Sequence, residues 1–125
     1  MRVNEVLLVA IPAFEDIILP LLRFLKDGKS HSMKEAEEYL SNFFNLSKEE
    51  RNQMKPSGNE TIFHNRLHWA KFYLKKAHLL DSPPRSNFKI TPRGLSVLKE
   101  NLEKIDTKYL MRFPEFADFV QDKRK

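Results

Sequence analysis

Asn65–Gly94 reads NRLHWAKFYLKKAHLLDSPPRSNFKITPRG, and the fold turns on how this stretch divides. Extended back to Glu60, its first part carries Phe63, Leu67, Ala70, Leu74 and Ala77 at helical spacing. At about 100° per residue these five fall within a sector of about 80°, a narrow seam suited to a core. Thr61, His64, Asn65, His68, Lys71, Phe72 and Lys75 gather on the opposite side, with Ile62, Trp69 and Tyr73 on one flank. The spacing predicts a helix from Glu60 to Ala77. "HLLDS" and "NFKIT" then read as short strands around a "PPRS" turn. Thr91 follows as an N-cap, with Pro92 at the first position of another helix.

Working outward, Ile17, Ile18, Leu21, Leu22 and Leu25 recur at helical spacing and predict a helix over Pro12 to Lys26, kinked at Pro20. "DGKSHS" ends it, with Gly28 as the stop. Ser32 and Glu35 have the spacing of a capping box, opening a second helix whose buried stripe is Ala36, Tyr39, Leu40, Phe43 and Phe44. Ser47 and Glu50 repeat the signal for a short third helix ending near Met54, and "KPSGN" is a turn. From Ile105 the chain alternates apolar and charged residues, which suggests a partly helical, then frayed tail. The fold class expected is mainly α with a small β-hairpin, a winged helix-turn-helix. Residues 1–110 are expected to form that domain, and 111–125 a tail or the start of a linker.

The 125 residues suit a single domain with a real core. With 41% hydrophobic and 31% charged residues, the composition argues against bulk disorder. No cysteine is present, which excludes disulfides and thiolate metal sites and is compatible with a reducing compartment. The apolar run Val6–Ile11 is too short to span a bilayer, and acidic residues bracket it, as they would not in a signal peptide. A cytoplasmic location is the expectation.

The net charge of +5 is unevenly placed. Residues 61–94 hold Arg66, Lys71, Lys75, Lys76, Arg85, Lys89 and Arg93 against one acid, Asp81, while the rest of the chain is nearly neutral. A local basic surface is what a polyanionic partner requires. A helix of this kind fits the DNA major groove, where amide and guanidinium groups match base edges. The residues expected to meet double-stranded DNA are Thr61, His64, Asn65, Arg66, His68, Lys71, Lys75, Arg85 and Lys89. Hairpin 79–90 acts as the wing, with Arg85 at its tip reaching phosphate or the minor groove. For Arg66, beside the seam, a structural ion pair competes evenly with base contact. Trp69 is expected to brace a neighbouring element rather than stack on a base.

Catalysis is not expected. Metal-dependent nuclease chemistry needs clustered carboxylates with a lysine, and Asp16, Glu35, Glu37 and Glu38 do not stand in an Asp…Glu-x-Lys arrangement after a strand. His64 and His68 have the four-residue spacing of a zinc pair but no third ligand, so neither a metal nor another cofactor is predicted. Ser41, Ser47 and Ser57 read as caps and turns.

The segments "IPAFEDIILPLLRFL", "PSGNETIFHNRLHWAKFYLKKAHLL" and "FKITPRGLSVL", in this order, resemble the N-terminal domain of Mrr-type restriction endonucleases. The resemblance runs from about Ile11 to Leu110. Its most specific piece is Asn65, Arg66, Trp69 and Ala70, with Lys75, Lys76, Ala77 and Leu79 close behind. "IDTKYL" looks like the family's link out of the domain. The family often has glycine where this chain has His68 and His78. The resemblance implies a winged helix assigned to DNA binding, the targeting half of a modification-dependent enzyme whose separate C-terminal nuclease domain is of the PD-(D/E)xK class. A homodimer and such a nuclease domain are compatible partners; a membrane is not expected. The alternatives are a protein-interaction module and a stand-alone winged-helix transcription regulator.

Overall fold

Five residues at helical spacing place the centre of the core. Ile17, Ile18, Leu21, Leu22 and Leu25 are fully buried, the first four on helix α1 (Phe14–Phe24) and Leu25 at its C-cap. Burying each side chain of this size contributes about 1.5–3 kcal/mol. The computed structural model describes residues 11–83 and 87–123. Helix α1 is shorter than the expected Pro12–Lys26, because Ala13 is its N-cap and Leu25 already closes its last turn. It continues through Pro20.

Both capping boxes form. Ser32 Oγ accepts from the Glu35 N–H at 3.0 Å while the Ser32 N–H donates to Glu35 Oε1 at 2.9 Å, opening α2 (Met33–Phe43). Ser47 and Glu50 exchange the same pair at 3.1 and 2.7 Å to open α3 (Lys48–Asn52), which stops short of Met54. One expectation about α2 fails. Ala36 and Leu40 are buried, but Tyr39 and Phe43 are 48% and 54% exposed. They lie on the flank of α2 rather than on the stripe that meets α1, and their rings continue from Phe24 across the surface at 4.7 and 6.5 Å.

Helix α4 (Ile62–Lys76) begins two residues later than expected, because the Thr61 hydroxyl caps it by accepting from the His64 N–H at 3.1 Å. Phe63, Leu67, Ala70, Leu74 and Ala77 are fully buried, so the narrow seam is the core face. Ile62, placed on the flank from sequence, is buried as well. After Ala77, His78 takes a left-handed backbone with φ of 60°, and the Leu79 N–H returns to the Leu74 carbonyl at 2.9 Å. This is a glycine-type helix stop made by histidine, one of the residues that enters the left-handed region more readily than most.

The hairpin is shorter than "HLLDS" and "NFKIT" suggest. Strands β1 (Leu80–Asp81) and β2 (Lys89–Ile90) pair antiparallel, Leu80 with Ile90 and Asp81 with Lys89. Pro83 offers no amide to extend the ladder. The pairing is instead continued sideways. His31, between α1 and α2, exchanges two backbone hydrogen bonds of 2.9 Å with Phe88 and fastens the hairpin to the helical core.

Thr91 caps α5 (Pro92–Leu98) by accepting from the Gly94 N–H, and its hydroxyl donates to the His78 carbonyl at 2.7 Å. Asp106 caps α6 (Thr107–Leu110), where Glu15 Oε2 accepts from both the amide and the hydroxyl of Thr107 at 2.7 Å. Beyond Leu110 the chain forms α7 (Pro114–Lys123). Helix α7 is docked: Phe116 is fully buried against Tyr73, with ring centroids 5.3 Å apart, and Phe119 meets Phe72 at 5.5 Å. The architecture is mainly helical with one small antiparallel hairpin, winged-helix-like. No helix among the described residues is long and apolar enough to cross a membrane.

Candidate nucleic-acid interface

The outer face of α4 divides into two halves with different neighbours. Its N-terminal half carries His64, Asn65 and His68. His68 is exposed and His64 retains 40% of its side-chain exposure. Glu37 on α2 reaches His64 Nδ1 at 2.9 Å. Glu60, just before the helix, accepts from the Asn65 amide at 2.7 Å and from Lys55 at 3.2 Å. These donors, the Asn65 amide foremost, hold the Glu60 carboxyl below its ordinary value. Beside them a cleft of about 320 Å³ is lined by Glu37, Leu46, Lys48, Arg51, Asn52 and Thr61.

The C-terminal half carries Lys71, Phe72, Lys75 and Lys76. Lys75 is exposed. The Lys71 ammonium lies 4.8 Å from the centre of the Phe88 ring at the base of the hairpin. Burial, with a smaller contribution from Lys75, lowers its pKa. Lys76 bridges the Phe72 and Phe119 rings at 5.3 and 5.2 Å. Phe72, at the centre of the outer face by helical projection, is therefore partly covered by α7.

The remaining residues singled out from sequence fall in three places. Thr61 is the α4 cap. Arg66 lies beside the seam, where its Nη1 donates to the carbonyls of Ile11 and Pro12 at 2.8 and 3.2 Å. Among the described residues, the side-chain bonds of Arg66 go to these backbone carbonyls just before α1 and not to a carboxylate. Lys89 is exposed on β2, while Arg85 lies outside the described residues. The fold thus brings His64, Asn65, His68, Lys71 and Lys75 onto one helix face, with Lys89 on the adjoining hairpin.

Trp69 stays 38% exposed and meets Phe72 and Tyr73 edge-on at 5.6 and 6.4 Å. Glu37 was missed from the sequence because 27 residues separate it from His64. Glu60 stands five residues from Asn65 and could have been proposed from helix-start chemistry. Among the described residues no group of three or more His, Asp or Glu side chains is arranged to hold a metal ion.

Searches among curated proteins and among solved structures find no match to this chain. The family comparison does: the Mrr N-terminal domain family matches residues 14–100, from the first residue of α1 to just beyond α5. That span contains the helices capped by Ser32, Ser47, Thr61 and Thr91, the seam of α4 and both hairpin strands, so the chain belongs to the Mrr N-terminal domain family.

Proposed function

We propose that the chain is a duplex-DNA-binding domain, the targeting half of a Mrr-type, modification-dependent restriction system. Helix α4 lies in the major groove and hairpin 79–90 serves as the wing. The observation that carries this reading is the division of labour on α4. Its apolar seam is consumed by the core, while His68 and Lys75 are exposed, His64, Asn65 and Lys71 are half-buried on the same outer side, and Lys89 is exposed on the hairpin. A helix fixed on one side and nitrogen-rich on the other is what major-groove reading needs. The excess positive charge of residues 61–94 supplies the backbone attraction. Family membership supports the reading independently.

The chemistry assigned to this domain is recognition. Phosphate contacts from Lys75, Lys89 and Arg85 fix register, and His64, Asn65 and His68 meet base edges. Titration of a labelled duplex at several salt concentrations tests this. Each neutralised phosphate contributes about −0.9 to the slope of log affinity against log salt. Charge reversal at Lys75, Lys89 or Arg85 is expected to make that slope shallower by about one each. Affinity that is unchanged between low and physiological salt, or indifferent to these reversals, would sink the DNA reading and favour a protein-interaction module. A stable dimer selecting palindromic sites would point instead to a stand-alone regulator.

A further inference from the structure

The Glu37–His64 pair has a chemical consequence beyond holding the helix. Glu37 Oε2 is 2.9 Å from His64 Nδ1, and a carboxylate can only accept. The proton of the neutral ring must then sit on Nδ1, which leaves Nε2 as a bare acceptor on the other side of the imidazole. His64 keeps 40% of its side-chain exposure against 27% for Glu37, so Glu37 is the more enclosed partner. The pair joins two helices: Glu37 is on α2, two residues past its capping box, and His64 is in the first turn of α4. Both ends are anchored, because the Thr61 cap receives the His64 N–H and the Ser32–Glu35 box fixes the start of α2.

Resting on the DNA-binding reading above, we infer that Glu37 is a positioning residue that sets base preference by fixing the His64 tautomer. Presented as an acceptor, Nε2 pairs with the exocyclic amino groups of adenine and cytosine, which project into the major groove. It faces a keto oxygen unfavourably at the same place on guanine and thymine, where two acceptors would meet. With the ring neutral, the negative charge of Glu37 beside it disfavours a phosphate contact there and leaves base edges as the compatible partner. The neighbouring Asn65, held by Glu60 at 2.7 Å, can read the adjacent base with whichever amide atom remains free.

Two measurements test this. The first needs no DNA: the ring ¹⁵N shifts of His64 in the whole chain, at roughly pH 8 where an ordinary imidazole is neutral. The Nδ1–H form is expected to dominate, and Glu37→Ala and Glu37→Gln are expected to reduce its share. A dominant Nε2–H form in the unaltered chain overturns the inference. The second is selection from a randomised DNA duplex pool. The unaltered chain is expected to favour amino over keto bases about tenfold at one position. His64→Ala should abolish that preference, and both Glu37 variants should shrink it. A preference that depends on His64 yet survives both Glu37 variants overturns the inference. Absence of any duplex binding overturns the DNA reading instead, and the ring spectrum tells the two failures apart.

Discussion

Gly94, in the first turn of α5, stands where three elements converge. A Cβ built on it would overlap the backbone carbonyl of Leu79 and lie 2.6 Å from Ile90 Cγ1 and 3.3 Å from Ile90 Cδ1. Neither neighbour yields readily. The Leu79 carbonyl accepts from the Thr91 N–H at 3.1 Å, and Ile90 is buried on β2 opposite Leu80. Gly94→Ala must therefore push the α5 start away from the base of the hairpin. Overpacking of this kind costs up to about 3 kcal/mol. Alanine returns about 1 kcal/mol through helix preference and a less disordered unfolded chain. The net expectation is a loss of about 2 kcal/mol, or roughly 10 °C in Tm for a domain of this size. Urea unfolding followed by circular dichroism should show a midpoint lower by about 1 M with an unchanged slope. A variant as stable as the parent, or more so, would refute the claim that close approach rather than backbone freedom selects glycine here.

Phe116→Ala should cost about 3 kcal/mol, since its ring is fully buried against Tyr73. Amide exchange is expected to accelerate first in α7 while α1 and α4 stay protected; uniform acceleration, or none, would contradict the docking. His78→Gly should stabilise the chain by roughly 0.5–1 kcal/mol, because φ of 60° costs histidine more than glycine. A fall in Tm would show that the 3.5 Å contact of His78 with Glu115 outweighs the backbone strain. The Arg93 guanidinium, bonded to Glu115 at 2.8 and 3.2 Å, is the main cause holding that carboxyl at about 2 rather than 4.5. The folded pKa is the lower one, so this contribution is full above about 4.5 and fades as pH falls through about 2. Glu115→Gln is therefore expected to lower Tm at neutral pH and flatten the Tm–pH curve across that window. An unaltered acid limb would remove the ion pair as its cause.

The amino-acid sequence by itself determined the helices and their caps. Ser32, Ser47 and Thr91 sit at fixed offsets from the amides they receive, and the seam of α4 is a matter of 100° per residue. Interactions within a turn or two are written in local spacing, so the order of elements as far as α5 and the core face of α4 could be read directly, whereas α6 and the docked α7 could not. What faces that helix could not. Tyr39 and Phe43 have the spacing of a buried stripe but remain exposed, because the width of the α1–α2 contact decides how much of an apolar arc is covered. Arg66 has the chemistry of a base reader but is drawn to two carbonyls more than 50 residues away. Phe72 projects to the centre of the outer face, yet Phe119 from α7 partly covers it. Glu37 reaches His64 only because the fold brings α2 near the start of α4. Each of these depends on where a distant element lies, and that position is set by packing of the whole core.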